Sequence, residues 1–481
     1  MSLVTLRKTK IVATIGPSVS SQEMLARLID AGVDVMRLNF SHGTAAGHIE
    51  CAKTIRDLSH ALDCSVGILC DLQGPKIRIG KFEEDKITLK RDDSFVLDAN
   101  CPLGNQSRVG LDYPSLPQEV MADEVLLLDD GRIVMRIDRV IKQQIFCTVI
   151  TGGVLSNNKG INKQGGGLAA ASLTEKDRED IKTAVALGAD FIAVSFPRSA
   201  ADIHLARQLI MDVGGHAQIV AKIERAEAID ALDEIIEASD SVMVARGDLG
   251  VEVGDALVPS LQKRIIRSAR SQNKTVITAT QMMESMIQSP IPTRAEVSDV
   301  ANAVLDGTDA VMLSAETASG QFPLEAIAAM HRVCVEAEHE QALQMMPTID
   351  ARRFTKIDES IAMAASYVAE HLPVKAVVAF TQSGASVLWL SRSNITAPIY
   401  AVSPEAQTRR RLKLYRGVYP LPLTASSNDS HEILITVEND LINKEVLRLG
   451  DLILVMMGEP FGTAGSTNTL KVKVVGENNA P

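Results

Sequence analysis

Three stretches built on the same plan decide the fold: residues 218–224 read QIVAKIE, residues 241–248 read SVMVARGD, and residues 275–282 read TVITATQM. Each begins as a short apolar run rich in β-branched residues, ends in polar residues, and is followed by a segment of helical character. Such runs are typical of buried parallel strands. Because the carboxyl ends of successive parallel strands open on one side of a sheet, we expect their polar side chains to converge there.

Runs of this kind recur eight times, with helical spacing between them, as in Gln22–Ala31, Glu175–Leu187 and Ala226–Ala238. The predicted strands are Ile11–Ile15, Val33–Phe40, Ser65–Cys70, Phe191–Phe196, Gln218–Ala221, Ser241–Ala245, Thr275–Ala279 and Ala310–Leu313. Eight βα units predict an α/β protein with a closed (β/α)₈ TIM barrel and an active site at the carboxyl ends of its strands. A doubly wound open sheet is the alternative, which periodicity does not exclude.

The barrel pattern is interrupted once and then gives way to a third unit. Between about Gly74 and Gly167 the chain changes to short alternating runs separated by Asp-, Gly- and Asn-rich turns, which predicts an inserted small β-barrel lid. Beyond about Met345, strands alternate with helices again, which predicts a C-terminal α/β domain. The predicted domains are residues 1–73 with 168–344 (barrel), 74–167 (lid) and 345–481 (regulatory).

Composition narrows the class of protein. The 481 residues are 46% hydrophobic and carry a net charge of −11, and no apolar run is long enough to span a bilayer. Without a secretory signal, a cytoplasmic location is expected. The negative charge and 3% aromatic content argue against nucleic acid as a partner. Six scattered cysteines without a CxxC pair indicate reduced thiols and make a zinc site unlikely.

The strand ends supply the functional groups for binding a metal and an anion. Glu224 and Asp248 offer hard oxygen ligands suited to Mg²⁺, with Mn²⁺ as the alternative. Lys222 shares a strand face with Glu224 and could stabilise developing negative charge. A structural ion pair is the alternative for both residues, and a Schiff-base role is a further alternative for Lys222. A short helix beginning near Gly247 would point backbone N–H groups at an anion, and the Thr280 hydroxyl could donate to the same anion.

The second and third strands end in further polar residues. Arg37, Asn39 and Ser41 alternate and therefore face one way; arginine suits phosphate, while the other two could ligate a small cation. His42 is as readily a loop hydrogen-bonding residue as a base. The charged residues near the start of the insertion are Asp71, Lys76 and Arg78.

Seven strings in order then resemble the pyruvate kinase family: RLNFSHG (37–43), residues 71–78, KIER (222–225), VARGDLGVE (244–252), TQMMESMI (280–287), PTRAEVSDVAN (292–302) and LSAET (313–317). The resemblance implies phosphoryl transfer from phosphoenolpyruvate to ADP, giving pyruvate and ATP. It implies a metal on Glu224 and Asp248, and a phosphoenolpyruvate site made of Arg37, Lys222, Gly247, Asp248 and Thr280. The nucleotide side would comprise Asn39, His42, Arg78 and Lys159. A homotetramer in the cytoplasm is implied as well.

One departure from the family pattern concerns potassium. Many pyruvate kinases hold K⁺ with residues like Asn39, Ser41 and Asp71, plus a threonine beside a glutamate. This chain has Leu72 in place of the threonine and Lys76 in place of the glutamate, as in the K⁺-independent, lysine-containing subgroup. We therefore predict that the Lys76 ammonium replaces K⁺.

The C-terminal unit resembles the family's effector domain. Thr381, Ser383, Gly384 and Ser386 follow a predicted strand and open a helix, a geometry that suits phosphate binding, although an ordinary capped loop explains the pattern equally well. A phosphorylated sugar or nucleotide is the expected allosteric activator, with a loop near residues 462–468 closing over it. The run Arg409–Arg411 is predicted to be a solvated helix face. A magnesium-dependent barrel lyase and a non-catalytic sensor of a phosphorylated metabolite are the rival interpretations.

Overall fold

The computed structural model describes residues 6–344, 354–393, 395–424, 429–460 and 465–477. The chain begins with three strands and two helices that belong to the barrel. They are β1 (Lys10–Ile15), α1 (Gln22–Asp30), β2 (Val35–Asn39), α2 (Ala45–Ala61) and β3 (Gly67–Asp71). Ser21 and Thr44 cap the two helices by accepting a hydrogen bond from a first-turn amide.

The insertion follows β3 and is all but free of helix. Its elements are β4 (Lys86–Leu89), β5 (Ser94–Asp98), β6 (Arg108–Val109), α3 (Leu116–Glu119), β7 (Val125–Leu128), β8 (Ile133–Ile141), β9 (Gln144–Thr151), β10 (Gly153–Ser156) and β11 (Ile161–Lys163). A six-stranded sheet and a two-stranded sheet enclose one hydrophobic core of their own. The predicted boundaries of this domain stay predictions.

The barrel then resumes with five strands. The elements are α4 (Glu175–Ala186), β12 (Phe191–Val194), α5 (Ala200–Asp212), β13 (Gln218–Ile223), α6 (Glu227–Asp230), α7 (Leu232–Ala238), β14 (Ser241–Ala245), α8 (Arg246–Val253), α9 (Val258–Ser271), β15 (Thr275–Ala279), α10 (Arg294–Leu305), β16 (Ala310–Leu313), α11 (Ala315–Ala318) and α12 (Pro323–Gln344). The segment Ala226–Ala238, predicted from its helical spacing, is helical but forms two short helices, α6 and α7, on either side of Ala231.

The eight strands β1, β2, β3 and β12–β16 close into a parallel barrel. The predicted fold class is confirmed, and the open-sheet alternative is wrong because β1 pairs with both β2 and β16. Within the described ranges, no helix combines the length and apolarity needed to cross a bilayer.

The C-terminal unit is an α/β domain with a five-stranded sheet. Its elements are α13 (Ile357–His371), β17 (Ala376–Phe380), α14 (Ala385–Arg392), β18 (Ile399–Ser403), α15 (Ala406–Leu412), β19 (Val418–Pro422), α16 (Ser430–Asn443), β20 (Leu452–Gly458) and β21 (Thr467–Val474). The apolar side chains inside the barrel, such as Val12 and Phe191, belong to one buried cluster with Val387 and Leu412 of this domain. The domain therefore packs against the amino-terminal face of the barrel, opposite the strand ends that carry the predicted site.

An aspartate stands immediately before every second strand of the barrel. Each accepts the backbone N–H of a residue in the adjacent strand, at 2.8–3.0 Å: Asp34 from Ile11, Asp190 from Ile68, Asp240 from Ile219 and Asp309 from Val276. Because these backbone groups would otherwise lack partners at the end of the ladder, the four carboxylates complete the amino-terminal rim of the barrel.

Basic residues of the C-terminal domain bind three of these four aspartates. Lys413 lies 2.9 Å from Asp34, Arg410 lies 2.8 Å from Asp190, and Arg392 pairs with Asp309. The prediction that Arg409–Arg411 form a solvated helix face is therefore wrong at Arg410, and Arg411 also donates to the His216 carbonyl of the barrel.

Candidate active site

The carboxyl ends of the barrel strands bring together predicted residues that lie far apart in sequence. Arg37 lies in the middle of β2, which ends at Asn39, and Asp71 is the last residue of β3. Lys222 lies inside β13, which extends two residues beyond the predicted run. Asp248 lies in the first turn of α8, directly after β14, and Thr280 follows β15. Closure of the barrel thus brings the polar ends of these strands together, as predicted.

Lys222 is surrounded by oxygen atoms. Its Nζ lies 2.7 Å from Ser195 Oγ, 2.8 Å from Glu224 Oε1 and 3.3 Å from Asp71 Oδ1. Burial alone would lower the pKa of Lys222, but the carboxylates of Asp71 and Glu224 outweigh burial and raise it. Lys222 is therefore a permanent cation and not a neutral amine poised for Schiff-base chemistry.

Arg37 is fixed by two buried partners. Its Nε donates to Asp71 Oδ2 at 2.7 Å, and its Nη1 donates to Thr14 Oγ1 at 3.0 Å. The Thr14 hydroxyl in turn donates to the Leu313 carbonyl at 2.9 Å, which ties β1, β2 and β16 together. Burial acts to raise the pKa of Asp71, but Lys222 and Arg37 outweigh it and lower the pKa. One buried carboxylate thus holds two cations side by side.

Thr14 and Ser195 are site residues that sequence reasoning missed. Both stand at strand ends, Thr14 near the end of β1 and Ser195 directly after β12. The same rule that singled out Thr280 would have found them, since each is a hydroxyl residue where a buried parallel strand opens onto the shared mouth.

Glu224 is buried beneath the surface of the site. Its Oε2 accepts the Phe196 N–H at 2.9 Å, and Phe196 has a left-handed φ of 55°. Burial, together with the nearby carboxylates of Asp248 and Asp71, raises the pKa of Glu224 to about 7 against the opposing effect of Lys222. Its Oε1 contacts Lys222 but receives no hydrogen bond of good geometry from the described residues. A carboxylate oxygen that lacks a well-formed hydrogen bond, as Glu224 Oε1 does in the described part of the chain, is suited to coordinating a cation.

The two candidate metal ligands fit Mg²⁺ only as part of a larger set. Among the described residues, no three His, Cys, Asp or Glu side chains cluster as ligands. Mg²⁺ commonly takes one or two carboxylates and completes its octahedron with water and substrate oxygens. Glu224, whose Oε1 receives no hydrogen bond of good geometry within the described ranges although Lys222 Nζ lies 2.8 Å away, and Asp248, whose side chain is 24% exposed, can supply these carboxylates.

Lys76 reaches across the mouth from the start of the insertion. Its Nζ lies 3.0 Å from Asp248 Oδ1 and 3.5 Å from Asp130 Oδ1 of the lid. Burial would lower the pKa of Lys76, but these two carboxylates raise it. The structure therefore brings Lys76 to a candidate metal ligand. Within the predicted monovalent-cation region, the Asn39 amide oxygen accepts the Ser41 N–H at 3.1 Å, and Asp71 is paired as described above.

Thr280 is held in a strained backbone conformation. Its φ is 68° and that of Gln281 is 53°, a left-handed pair that is costly for non-glycine residues. Arg246 donates to the Thr280 carbonyl at 2.7 Å and pairs with Asp299. The Gly247 N–H, predicted to face an anion, donates instead to Thr280 Oγ1 at 2.8 Å. A substrate carboxylate that accepts a hydrogen bond from the Gly247 N–H would therefore have to replace the Thr280 hydroxyl as its acceptor.

The predicted nucleotide residues lie at the rim and on the lid. Arg78 Nη1 donates to the Asn158 carbonyl, and Lys159 Nζ lies 2.7 Å from Asp129. His42 lies in the loop after β2, where its carbonyl is 2.9 Å from a ring nitrogen of His48. Between the lid and α8 a cleft of about 550 Å³ opens beside Gly247, and Gly247 is the predicted site residue that lines it.

The predicted effector segment forms a turn before α14. Thr381 Oγ1 accepts the Gly384 N–H at 2.8 Å, and Gly384 adopts φ 89°, which favours glycine. Ser383 Oγ accepts the Ala385 N–H at 3.4 Å, and Ser386 is buried. Residues 461–464 lie outside the described residues, and they include the first three positions of the loop (462–468) predicted to close over a ligand.

Comparison with known proteins gives consistent matches over the whole chain. The family model described as pyruvate kinase, barrel domain, matches residues 6–327, and that described as pyruvate kinase, alpha/beta domain, matches residues 359–473. Pyruvate kinase II of Salmonella typhimurium is 50% identical over 479 residues, covering 98% of this chain and 99% of the relative. The pyruvate kinase of Haemophilus influenzae is 49% identical over 476 residues, with the same coverage. A crystal structure of a pyruvate kinase from Cryptosporidium parvum matches with a TM-score of 0.88 at 34% identity, covering 98% of this chain and 97% of that one.

Proposed function

The chain belongs to the pyruvate kinase family, and from that premise we propose how its own residues carry out the reaction. It is a phosphotransferase of glycolysis that moves a phosphoryl group from phosphoenolpyruvate and so forms pyruvate. The barrel-lyase and sensor interpretations are set aside by this membership. The observation that best supports the assignment of roles is the convergence of Arg37, Lys222, Glu224 and Asp248 at one end of the barrel.

Arg37 and Lys222 are proposed to bind the phosphoryl group of phosphoenolpyruvate. Both are cations fixed by the buried Asp71, so little reorganisation is needed when negative charge builds up on the transferring group. Lys222 Nζ would also stabilise the enolate oxygen that the departing phosphoryl leaves behind. Phosphoryl transfer depends mainly on such positioning and charge stabilisation.

The carboxylate of phosphoenolpyruvate is proposed to lie at the start of α8. The backbone N–H groups of Gly247 and Asp248 and the Thr280 hydroxyl would donate to it, with the first turn of the helix adding a favourable dipole. Thr280 Oγ1 donates to the Ala279 carbonyl at 2.6 Å. Turning that O–H toward the substrate would supply the donor, or a route for the proton that converts enolate to pyruvate.

Glu224 and Asp248 are proposed to hold Mg²⁺, with Mn²⁺ as the alternative. When bound there, the ion would neutralise charge on the phosphoryl and enolate oxygens. ADP is proposed to bind toward the lid, near Asn39, His42, Arg78 and Lys159. Domain closure over this side would exclude water from the transfer.

K⁺ independence is proposed from the residues that replace the usual potassium site. Leu72 is buried and its side chain lacks a ligand oxygen, while Lys76 adds a tethered ammonium. Equal rates with K⁺ and with tetramethylammonium are expected for the wild-type chain. A Lys76→Glu variant is expected to lose at least about tenfold in K⁺-free rate; an unchanged K⁺-free rate would refute this role for Lys76.

Regulation and assembly are proposed by analogy with the family. A phosphorylated metabolite is expected to bind at Thr381, Ser383, Gly384 and Ser386 and to activate the enzyme. A cytoplasmic homotetramer is expected, without nucleic acid or membrane as a partner.

The roles at the barrel mouth are tested by pyruvate formation from phosphoenolpyruvate and ADP with Mg²⁺. Lys222→Met is expected to lower kcat by about 100- to 1,000-fold, because it removes a fixed cation from the reacting groups. Lys182→Met is the matched control, since Lys182 is an exposed lysine on α4 that pairs with Glu179. A Lys222→Met enzyme as active as this control would overturn the assignment.

A further inference from the structure

Lys76 and the candidate metal meet at the same carboxylate. Lys76 Nζ lies 3.0 Å from Asp248 Oδ1, and both side chains are 24% exposed. The other candidate metal ligand, Glu224, is likewise contacted by a lysine, Lys222, at 2.8 Å. Each carboxylate proposed for the divalent ion is therefore already paired with an ammonium group.

We propose that Lys76 competes with the divalent cation for Asp248, so that metal binding displaces the Lys76 ammonium from this carboxylate. The inference rests on the proposed assignment of the metal to Glu224 and Asp248. It goes beyond the potassium argument, because it makes Lys76 a determinant of divalent-metal affinity.

Charge and geometry disfavour Lys76 and the divalent ion together at one oxygen atom, Asp248 Oδ1. Mg²⁺ binds oxygen ligands at about 2.0–2.1 Å and demands near-octahedral geometry. An ammonium in contact with the same carboxylate oxygen would face a doubly charged ion a few ångströms away, in a partly buried site where such repulsion is poorly screened. When the divalent ion occupies Asp248 Oδ1, the Lys76 ammonium therefore has to leave that oxygen.

Of the two lysines paired with the candidate metal ligands, Lys76 is less constrained than Lys222. Lys222 Nζ is additionally held by Ser195 at 2.7 Å and by the buried Asp71. The remaining ion-pair partner of Lys76 in the described part of the chain is Asp130, at 3.5 Å, whose side chain is 65% exposed. An exposed pair of this kind contributes little and restrains little.

Asp130 is the carboxylate that the Lys76 ammonium can pair with after it leaves Asp248. It lies on the lid, in the turn between β7 and β8, so a Lys76 released from Asp248 can keep a carboxylate partner by shifting toward the lid. In its present position the Lys76 side chain lies against Gly160, where an added Cβ would come 2.9 Å from Lys76 Cε. Metal binding would then strengthen the contact between Lys76, at the start of the insertion, and the turn between β7 and β8.

The competition is tested by titrating Mn²⁺ into the full-length chain without substrate and measuring free Mn²⁺ by electron paramagnetic resonance. Lys76→Met and Lys76→Gln are both expected to tighten Mn²⁺ binding by about tenfold, which corresponds to about 1.4 kcal/mol. Lys163→Met is the matched control, because Lys163 forms a partly buried pair with Glu124 at 2.8 Å within the lid. Its Mn²⁺ affinity is expected to stay within about twofold of wild type.

Asp248→Asn separates failure of the inference from failure of the metal assignment. Weaker Mn²⁺ binding by Asp248→Asn, with no gain in either Lys76 variant, would overturn the competition and leave the metal site intact. An equal gain in Lys163→Met would also overturn it, because the effect would then be general electrostatics. If Asp248→Asn and Glu224→Gln both bind Mn²⁺ like wild type, the metal assignment fails, and the inference fails with it.

Discussion

Replacing Arg410 by glutamine should weaken the attachment of the C-terminal domain to the barrel. Arg410 Nε donates to Asp190 Oδ1 at 2.8 Å, and Asp190 precedes β12 on the amino-terminal face. The side chain of Asp190 is fully buried, while that of Arg410 is 24% exposed. The variant removes the charge on one side of this interdomain pair and leaves the barrel sequence unchanged.

The expected loss follows from what remains around Asp190. Breaking a fully buried pair costs about 3–5 kcal/mol, and an exposed pair contributes about 0.2–1 kcal/mol. Asp190 keeps Arg56 at 2.7 Å and the Ile68 N–H at 2.9 Å, so its charge is not left unpaired. An intermediate loss of about 1.5–2 kcal/mol is therefore expected for Arg410→Gln.

Urea unfolding followed by tryptophan fluorescence measures this loss directly. Trp389 is the chain's one tryptophan and lies on α14, so its fluorescence reports on the C-terminal domain. With a slope of about 2 kcal/mol per molar urea, the midpoint should fall by about 0.7–1 M. The control is Arg409→Gln, because Arg409 donates to the Ser403 and Pro404 carbonyls of its own domain.

A double-mutant cycle with Asp190→Asn decides whether the pair itself is responsible. A coupling energy of about 1 kcal/mol or more is expected, since the two side chains are in direct contact. A coupling below about 0.5 kcal/mol, or a midpoint no lower than that of Arg409→Gln, would refute the argument that this ion pair attaches the domain.

Three further predictions test other contacts. Thr14→Val should lower kcat/KM for phosphoenolpyruvate by about tenfold, because it removes the hydroxyl that accepts a hydrogen bond from Arg37, and Thr14→Ser should retain the wild-type value. If Thr14→Val lowers kcat/KM further in an Arg37→Ala background, Thr14 does not act through Arg37. Burial lowers the pKa of Lys10 to about 7, so between about pH 7 and 10 the unfolded chain keeps a proton that the folded chain releases, and stability rises with pH. Lys10→Met should therefore gain stability in urea unfolding, by about 2–3 kcal/mol more at pH 6 than at pH 9, and a pH-independent gain would contradict the assignment. Gly74→Ala should lower kcat by at least about tenfold, because the added Cβ would meet Ser195 Cβ at 2.7 Å; Gly188→Ala, which has a similar left-handed φ but open space, should cost only about 1 kcal/mol of stability and little activity.

Much of the architecture was readable from local pattern. The predicted strands Ser241–Ala245, Thr275–Ala279 and Ala310–Leu313 match the observed bounds residue for residue, because a fully buried parallel strand is a short apolar run whatever surrounds it. The break at Ala231 was missed because the apolar spacing continues through it. Strand β19 (Val418–Pro422) carries two prolines, which obscure the sequence pattern of an edge strand.

The sequence by itself therefore determined the eight buried strands and the kinds of polar residue at their ends. Only the tertiary structure decided which of those residues meet. Lys76 contacts Asp248 across 172 positions, and Arg410 contacts Asp190 across 220. Periodicity describes one element and its nearest neighbours, whereas these pairs depend on how the barrel closes, how the lid folds back and where the C-terminal domain packs. No local pattern carries that information, because each contact is set by the joint position of two separately folded segments.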